Sequence, residues 1–513
     1  MKNNKLDIII LSLLLLMSLY FWTLPFQHNN LPFGDVDSST HFSIADYMSQ
    51  TDKPIVELPF YFQNLYYMNA NNGKLWYFPQ YHTGAALFQI ISGNRIVGAY
   101  LFFALMSILI IASIFVLIKE LFGLWPAAVS AFWLVFSIRD ITWYVLGVYP
   151  QVASFGMVPL FLYCIYKYVN GFLQGEKDHK FAIMAAIIIV MQLFTHPQAV
   201  FISFLAAAIF AIAVIIKHRK IPLNFKHTII PVIIIIVLLV PFLKFFTTTE
   251  TQKIAFDPKE IPSLFSWYGT PEPGIGQGYY SFVQTHGPLL LPLAIIGVIL
   301  LILRRKNEDL LMLSWLAAFY ISTHMSIIGW HRSLRFMEVE AHILVPIAVV
   351  GVLRIPSIIN MPAQAKNYAR MGIIAVLVVA IIIFSAIPAY KFLNNAFPGP
   401  QRITQAQLSA TEWIKDNTNI QDTIYLMGTS TYAKKKWMRV LSLRQTDFKN
   451  DVDTAISPGA LNHTYAVFDY SDWIAIYGGL PQELAGLVKD ETTYFNQSRL
   501  AYSKDNIRVY KVG

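Results

Sequence analysis

Long apolar runs alternate with short polar connections over most of the chain. Runs of spanning length fall at about 5–25, 95–118, 123–138, 150–168, 181–195, 198–216, 228–246, 287–303, 309–328, 336–353 and 371–390. A bilayer crossing takes about 20 apolar residues, so the pattern predicts about eleven transmembrane helices. The first run is long and no small-residue cleavage site follows it, so it reads as a retained span rather than a signal peptide. Residues 26–94 are mostly polar and aromatic, too many for a simple connector. Within them Phe42, Ala45 and Met48 recur at helical spacing, which predicts a short helix lying on the membrane surface. From about Arg402 the pattern becomes that of a soluble domain, with a helix over 408–414 and strands over 423–426, 466–468 and 508–510. The predicted architecture is a polytopic α-helical membrane domain, 1–395, whose first outer loop is 26–94, followed by a small extracytoplasmic α/β domain, 396–513.

Composition narrows the class. Of 513 residues 55% are hydrophobic and 13% charged, which excludes an ordinary soluble enzyme. The single cysteine, Cys164, lies in an apolar run and rules out an intramolecular disulfide or a cysteine-based metal site. The net charge of +9 is dispersed between spans and forms no basic stripe, so nucleic acid is not the expected partner, whereas membrane lipid and phosphate are. With the N-terminus in the cytoplasm, every inner connection carries Lys or Arg: Lys119, then Lys167 to Lys180, Lys217 to Lys226, Arg304 to Lys306, and Arg354 to Arg370. That orientation, a multi-pass cell-membrane protein with an extracellular C-terminal domain, puts the acidic loop and the tail outside. The sequons at Asn462 and Asn496 agree with it.

The candidate chemistry gathers on the outer side. Gly34-Asp35-Val36-Asp37-Ser38-Ser39-Thr40-His41-Phe42 sets two carboxylates and an imidazole just beyond the first span. Asp35 and Asp37 share a side of an extended strand. They suit a divalent cation, Mg or Mn, or a general base accepting a hydroxyl proton. The same residues also suit a capped loop-to-helix junction, with Asp37 as N-cap and His41 one turn on. Gly329-Trp330-His331-Arg332-Ser333-Leu334-Arg335-Phe336 brings two arginines and a His beside two spans, and guanidinium forks fit phosphate oxygens. A snorkelling cluster around Trp330 would look alike. Glu338 and Glu340 follow, placed to pair with Arg335 or line a cavity. His196 and His286 lie at outer span ends, where either could approach the Asp site. The glycine-rich 268–279 lacks the Lys of a nucleotide cradle and reads as a mobile substrate-covering loop.

In its many spans, acidic first outer loop and soluble outer tail, the chain resembles the GT-C superfamily of integral-membrane glycosyltransferases, which includes protein O-mannosyltransferases and oligosaccharyltransferases. The residues carrying the resemblance are Asp35, Asp37 and His41, with Arg332 and Arg335-Phe336 before a late span. It resembles archaeal-type members, in which Gly-Asp is followed shortly by Ser and His, with an extra Val-Asp inserted. The resemblance implies a polyprenyl- or dolichyl-phosphate sugar donor and inverting transfer to a protein, glycan or lipid acceptor on the outer face. One Asp would act as base or metal ligand, and the arginines would neutralise the departing lipid phosphate. Beside this, His331, His196 and His286 are candidate substrate-binding residues from their places at the outer span ends. Phe468-Asp469-Tyr470-Ser471-Asp472-Trp473 only loosely echoes the Trp-Trp-Asp-Tyr-Gly signature of oligosaccharyltransferases, which disfavours transfer of a whole oligosaccharide to Asn. The competing readings are a transporter or lipid-handling protein and a non-catalytic scaffold. Plain apolar span centres and the absence of repeated halves speak against transport.

Overall fold

The computed structural model describes residues 4–34, 36–51, 79–176, 179–222, 225–240, 258–265, 287–328, 335–337, 339–396, 402–448, 463–495 and 499–512. They form two compact units. One comprises Met1–Thr23, Phe103–Tyr144 and Tyr149–Leu393; the other comprises Leu24–Phe102, Val145–Val148 and Asn394–Gly513.

The first is a helical membrane unit. Each predicted apolar segment coincides with a helix, because a backbone in hydrocarbon must satisfy its own hydrogen bonds and overrides the β-propensity of Ile and Val. Six helices among the described residues are long and apolar enough to cross a membrane: Lys5–Trp22, Arg95–Phe122, Tyr149–Leu173, Pro197–His218, Arg335–Ile358 and Ala363–Asn394. Leu124–Val135 and Ile138–Leu146, bent by 43°, make a seventh if taken as one span. Lys180–Thr195, Ile229–Leu239 and Leu290–Arg304 are shorter apolar helices. Asn307–Thr323 carries Glu308 and Asp309 in its first turn, held by the Arg304 guanidinium at 2.8 and 2.5 Å. Leu290–Arg304 crosses the helix Glu340–Ile358 at glycines. A Cβ on Gly297 would lie 2.2 Å from the Ile347 carbonyl oxygen, and one on Gly351 would lie 2.3 Å from Gly297 Cα. Small residues at such a crossing let the backbones touch.

The second unit joins the first loop to the tail. Its sheet has strands β1 (Thr423–Met427), β2 (Gln445–Asp447), β3 (His463–Asp469), β4 (Leu500–Lys504) and β5 (Ile507–Lys511). Their order is β2-β1-β3-β5-β4, with β1 parallel to β2 and β3, and β5 antiparallel to β3 and β4. Asp505 and Asn506, at φ 49° and 65°, close the β4–β5 hairpin, as a two-residue primed turn requires. Every residue of β1 is buried, since helices and loops cover both faces. At the carboxyl ends of β1 and β3 the chain buries polar groups that satisfy one another. Lys434 Nζ donates to Asp472 (2.5 Å), while Gln407 (2.7 Å), Thr429 (2.9 Å) and Ser471 (2.6 Å) donate to Asp469. Burial raises the Asp469 carboxyl above the usual range, and the Ser471 hydrogen bond opposes the shift.

Candidate functional site

The acidic stretch enters the helix Val36–Thr51, so Asp37 occupies its first turn rather than the N-cap. Asp37 is exposed, and its negative charge is favoured by the helix N-terminal field. The turn before it is held rigidly. Ser38 Oγ donates to the Phe33 carbonyl (2.7 Å) and lies 3.0 Å from the Tyr100 hydroxyl. The Phe33 N–H donates to the same hydroxyl at 3.0 Å. Gly34, at φ +101°, and Gly147, at φ +91°, admit this packing: a Cβ on Gly34 would fall 2.7 Å from Ser38, and one on Gly147 would fall 2.1 Å from the Ser38 nitrogen.

The tail supplies the other supports. Trp437, fully buried on the helix Tyr432–Ser442, donates its indole N–H to the Gly34 carbonyl at 3.3 Å. Its ring meets Phe42 edge-on at 5.4 Å. Arg402 donates to the Leu31 carbonyl (2.8 Å) and to Asn29. The predicted apolar stripe is therefore real, but Phe42 and Ala45 are buried in protein instead of facing lipid, because Trp437, from a distant segment, takes that face.

His41 faces inward. Its Nδ1 lies 2.9 Å from Nε2 of His82, on the helix Gln80–Ser92, with the rings near-parallel at 5.2 Å. Burial pushes the His82 imidazole down to about 3, so it stays neutral at ordinary pH. One turn beyond His41, Asp46 is gripped by the Arg95 fork, Nη2 at 2.5 Å and Nε at 2.8 Å. The Arg95 guanidinium also reaches the Leu441 carbonyl at 3.4 Å.

The other predicted residues belong to the membrane unit. Arg335 is half-buried at the start of its span, where its carbonyl accepts from Gln151 Nε2 at 3.0 Å. The next residue, Phe336, is buried against Phe155 (6.0 Å) and Phe201 (5.8 Å). His196 is the extended residue between two helices, and its carbonyl accepts from Ser154 Oγ at 2.9 Å. Gln151 and Ser154 lie on one short helix, Tyr149–Gly156, which thus anchors both Arg335 and His196. Glu340 is buried and lies 3.7 Å from Arg139, an ion pair in addition to the sequence expectation for this carboxylate. Asp35, His286, His331, Arg332, Glu338, the 268–279 loop and the sequons at Asn462 and Asn496 lie outside the described residues.

Reading along the sequence missed a second polar group. Asp140 Oδ1 accepts from His342 Nε2 at 2.6 Å, with both side chains buried. The signal was an Arg-Asp pair, Arg139-Asp140, immediately after an apolar run, where two ionisable residues break the pattern sharply. Among the described residues no three His, Cys, Asp or Glu side chains gather as a metal donor set; the Asp35 half of the expected site lies outside them.

The fold has solved counterparts. ArnT from Cupriavidus metallidurans in the apo state superposes with a TM-score of 0.58 at 11% identity, covering 98% of this chain and 97% of that one. The same protein bound to undecaprenyl phosphate gives 0.58 at 11% identity, over 98% of each chain. The apo oligosaccharyltransferase of Archaeoglobus fulgidus gives 0.51 at 15% identity, over 92% of this chain and 70% of that one. At these identities the likeness is one of fold, and the fold is GT-C-like, a multi-pass membrane protein with a small C-terminal sheet. No curated protein matches the chain in sequence. Over residues 5–427 the chain matches the family described as a family of unknown function (DUF6541), and it belongs to that family.

Proposed function

We propose that the protein is a glycosyltransferase that moves a sugar from a polyprenyl- or dolichyl-phosphate donor to an acceptor on the outer membrane face, with its N-terminus in the cytoplasm. The observation that carries this reading is the pinned acidic turn: Asp37 is exposed on a helix start that Ser38, Tyr100 and Trp437 hold in place. It stands in a GT-C-like fold shared over nearly the full length of ArnT, which has been solved with undecaprenyl phosphate bound.

In the proposed reaction an acceptor hydroxyl attacks the anomeric carbon, a new C–O bond forms, and the bond from that carbon to the phosphate oxygen breaks with inversion. Asp35 or Asp37 takes the hydroxyl proton, and the departing lipid phosphate carries away the electron pair of the broken bond. Arg332 and Arg335, assisted by His331, His196 and His286, neutralise the charge that develops on that phosphate. His41 serves through its bond to neutral His82, which fixes the helix that carries Asp37.

The test is sugar transfer by the purified protein in lipid, with a panel of radiolabelled polyprenyl-phosphate sugars and detergent-extracted acceptors. Label should move from at least one donor, and Arg335→Ala should raise the KM for that donor about tenfold or more. Lack of transfer from every donor, together with no binding of polyprenyl phosphate, would reject the reading in favour of transport or scaffolding.

A further inference from the structure

We infer that the membrane unit carries a binding site for the headgroup of an anionic phospholipid, at the span ends that the charge pattern assigns to the cytoplasm. A cavity of about 300 Å³ there is lined by Asn170, Leu173, Gln174, His218, Lys220 and Asn307. Its wall is fixed by Asn307, the first residue of the helix Asn307–Thr323. Asn307 Oδ1 accepts from Lys217 Nζ (3.0 Å) and His218 Nε2 (2.9 Å), and its Nδ2 donates to Asn170 Oδ1 (2.9 Å). Two helices end at this place on arginines in the left-handed region, Arg219 at φ 54° and Arg305 at φ 52°.

Charge makes the cavity distinctive. The nearby carboxylates Glu308 and Asp309 are engaged by Arg304 and Arg354. Among the described residues no carboxylate pairs with Lys217, Arg219, Lys220, Arg305 or Lys306. A second cavity of similar size, about 290 Å³, is lined by Asp7, Lys119, Glu120 and Tyr163 among others. There Lys119 is neutralised by Asp7, and Glu120 takes Lys167 at 2.8 Å. One cavity is compensated within the chain; the other leaves its cations to an outside anion.

The ligand is amphiphilic rather than free phosphate, because the helices that bring the cations also present exposed apolar side chains near their ends. Ile216 is 66% and Leu303 72% exposed, one and two residues from Lys217 and Arg305. Acyl chains would lie along these positions, with the phosphodiester on the basic rim and the fixed amides.

The test is native mass spectrometry of the full chain released from micelles, with phosphatidylglycerol or phosphatidylcholine supplied at equal concentration. Phosphatidylglycerol should be retained at least tenfold better. Lys220→Glu changes an exposed side chain and leaves the packing alone, and Asn307→Asp puts a negative charge on the wall at almost constant volume. Each should remove that preference, while Lys167→Gln at the compensated cavity should leave it intact. Equal retention of the two lipids would overturn the site, as would a preference surviving Lys220→Glu and Asn307→Asp in protein that elutes as a folded monodisperse species. Complete displacement by millimolar inorganic phosphate would also overturn it, by naming a free anion as the ligand.

Discussion

Asp46 and Asp140 are both buried carboxylates, at 0% and 1% exposure, yet they are held in opposite ways. Asp46, in the loop-and-tail unit, has both oxygens on the Arg95 fork, and the same guanidinium reaches the Leu441 carbonyl. It works as a joint, tying the helix Val36–Thr51 to two other segments. Asp140, in the membrane unit, uses one oxygen on His342; its Oδ2 and His342 Nδ1 find no hydrogen-bond partner among the described residues. Leaving such atoms unpaired at full burial lowers stability. The first arrangement is what a scaffold requires. The second is a buried ionisable pair that packing does not explain.

The largest effect should come from breaking the joint. Arg95→Met strands the Asp46 charge in the interior and should cost about 3–5 kcal/mol, the usual penalty for removing one partner of a buried pair. Thermal unfolding followed by tryptophan fluorescence would read it. Adding Asp46→Leu to the same chain should recover most of the loss, since the stranded charge is gone.

Acid offers a subtler break in the same unit. His82 is lowered from 6.5 to about 3 by burial, so the unfolded chain binds its proton first as pH falls. The contribution of neutral His82 is complete above about pH 6.5 and is lost as pH drops toward 3, reaching about 2 kcal/mol at pH 5. Unfolding midpoints measured from pH 7 to pH 4 should fall along this slope, and His82→Gln should flatten it.

The smallest effect belongs to the other carboxylate. Asp140→Asn keeps the shape and one hydrogen bond to His342 while removing a charge with an unused oxygen, so stability should change by about 1 kcal/mol or less. A loss as large as that of Arg95→Met would make the two carboxylates equivalent and end the contrast.

What the sequence made legible was local. The apolar spans, the helix near Leu408 and the strands at Thr423, Ala466 and Arg508 follow from patterns a few residues long. The supports of the acidic turn did not, because their partners are far apart in the chain. Lys434-Lys435-Lys436 looks like a solvated face, yet Lys434 is buried on Asp472 and the next turn delivers Trp437 to Gly34. His41 reads from the sequence as part of a capped junction or of a catalytic group, and its stacking on His82, 41 residues on, is not legible there. Likewise Asp140 meets His342 across 202 residues. The acidic stretch itself was found because two carboxylates and an imidazole outside a span break an apolar pattern sharply.

The most direct test compares the native chain with Asp37→Asn and Asp35→Asn in single-turnover transfer from a polyprenyl-phosphate sugar. Asp37 is exposed, so its amide should leave the chain folded, with a loss of about 1 kcal/mol or less from the helix N-terminal field. One of the two substitutions should lower the rate by at least a hundredfold while donor binding persists, as expected for loss of a general base. Transfer at the native rate in both variants would contradict it, and the acidic turn would then be a loop-to-helix junction and nothing more.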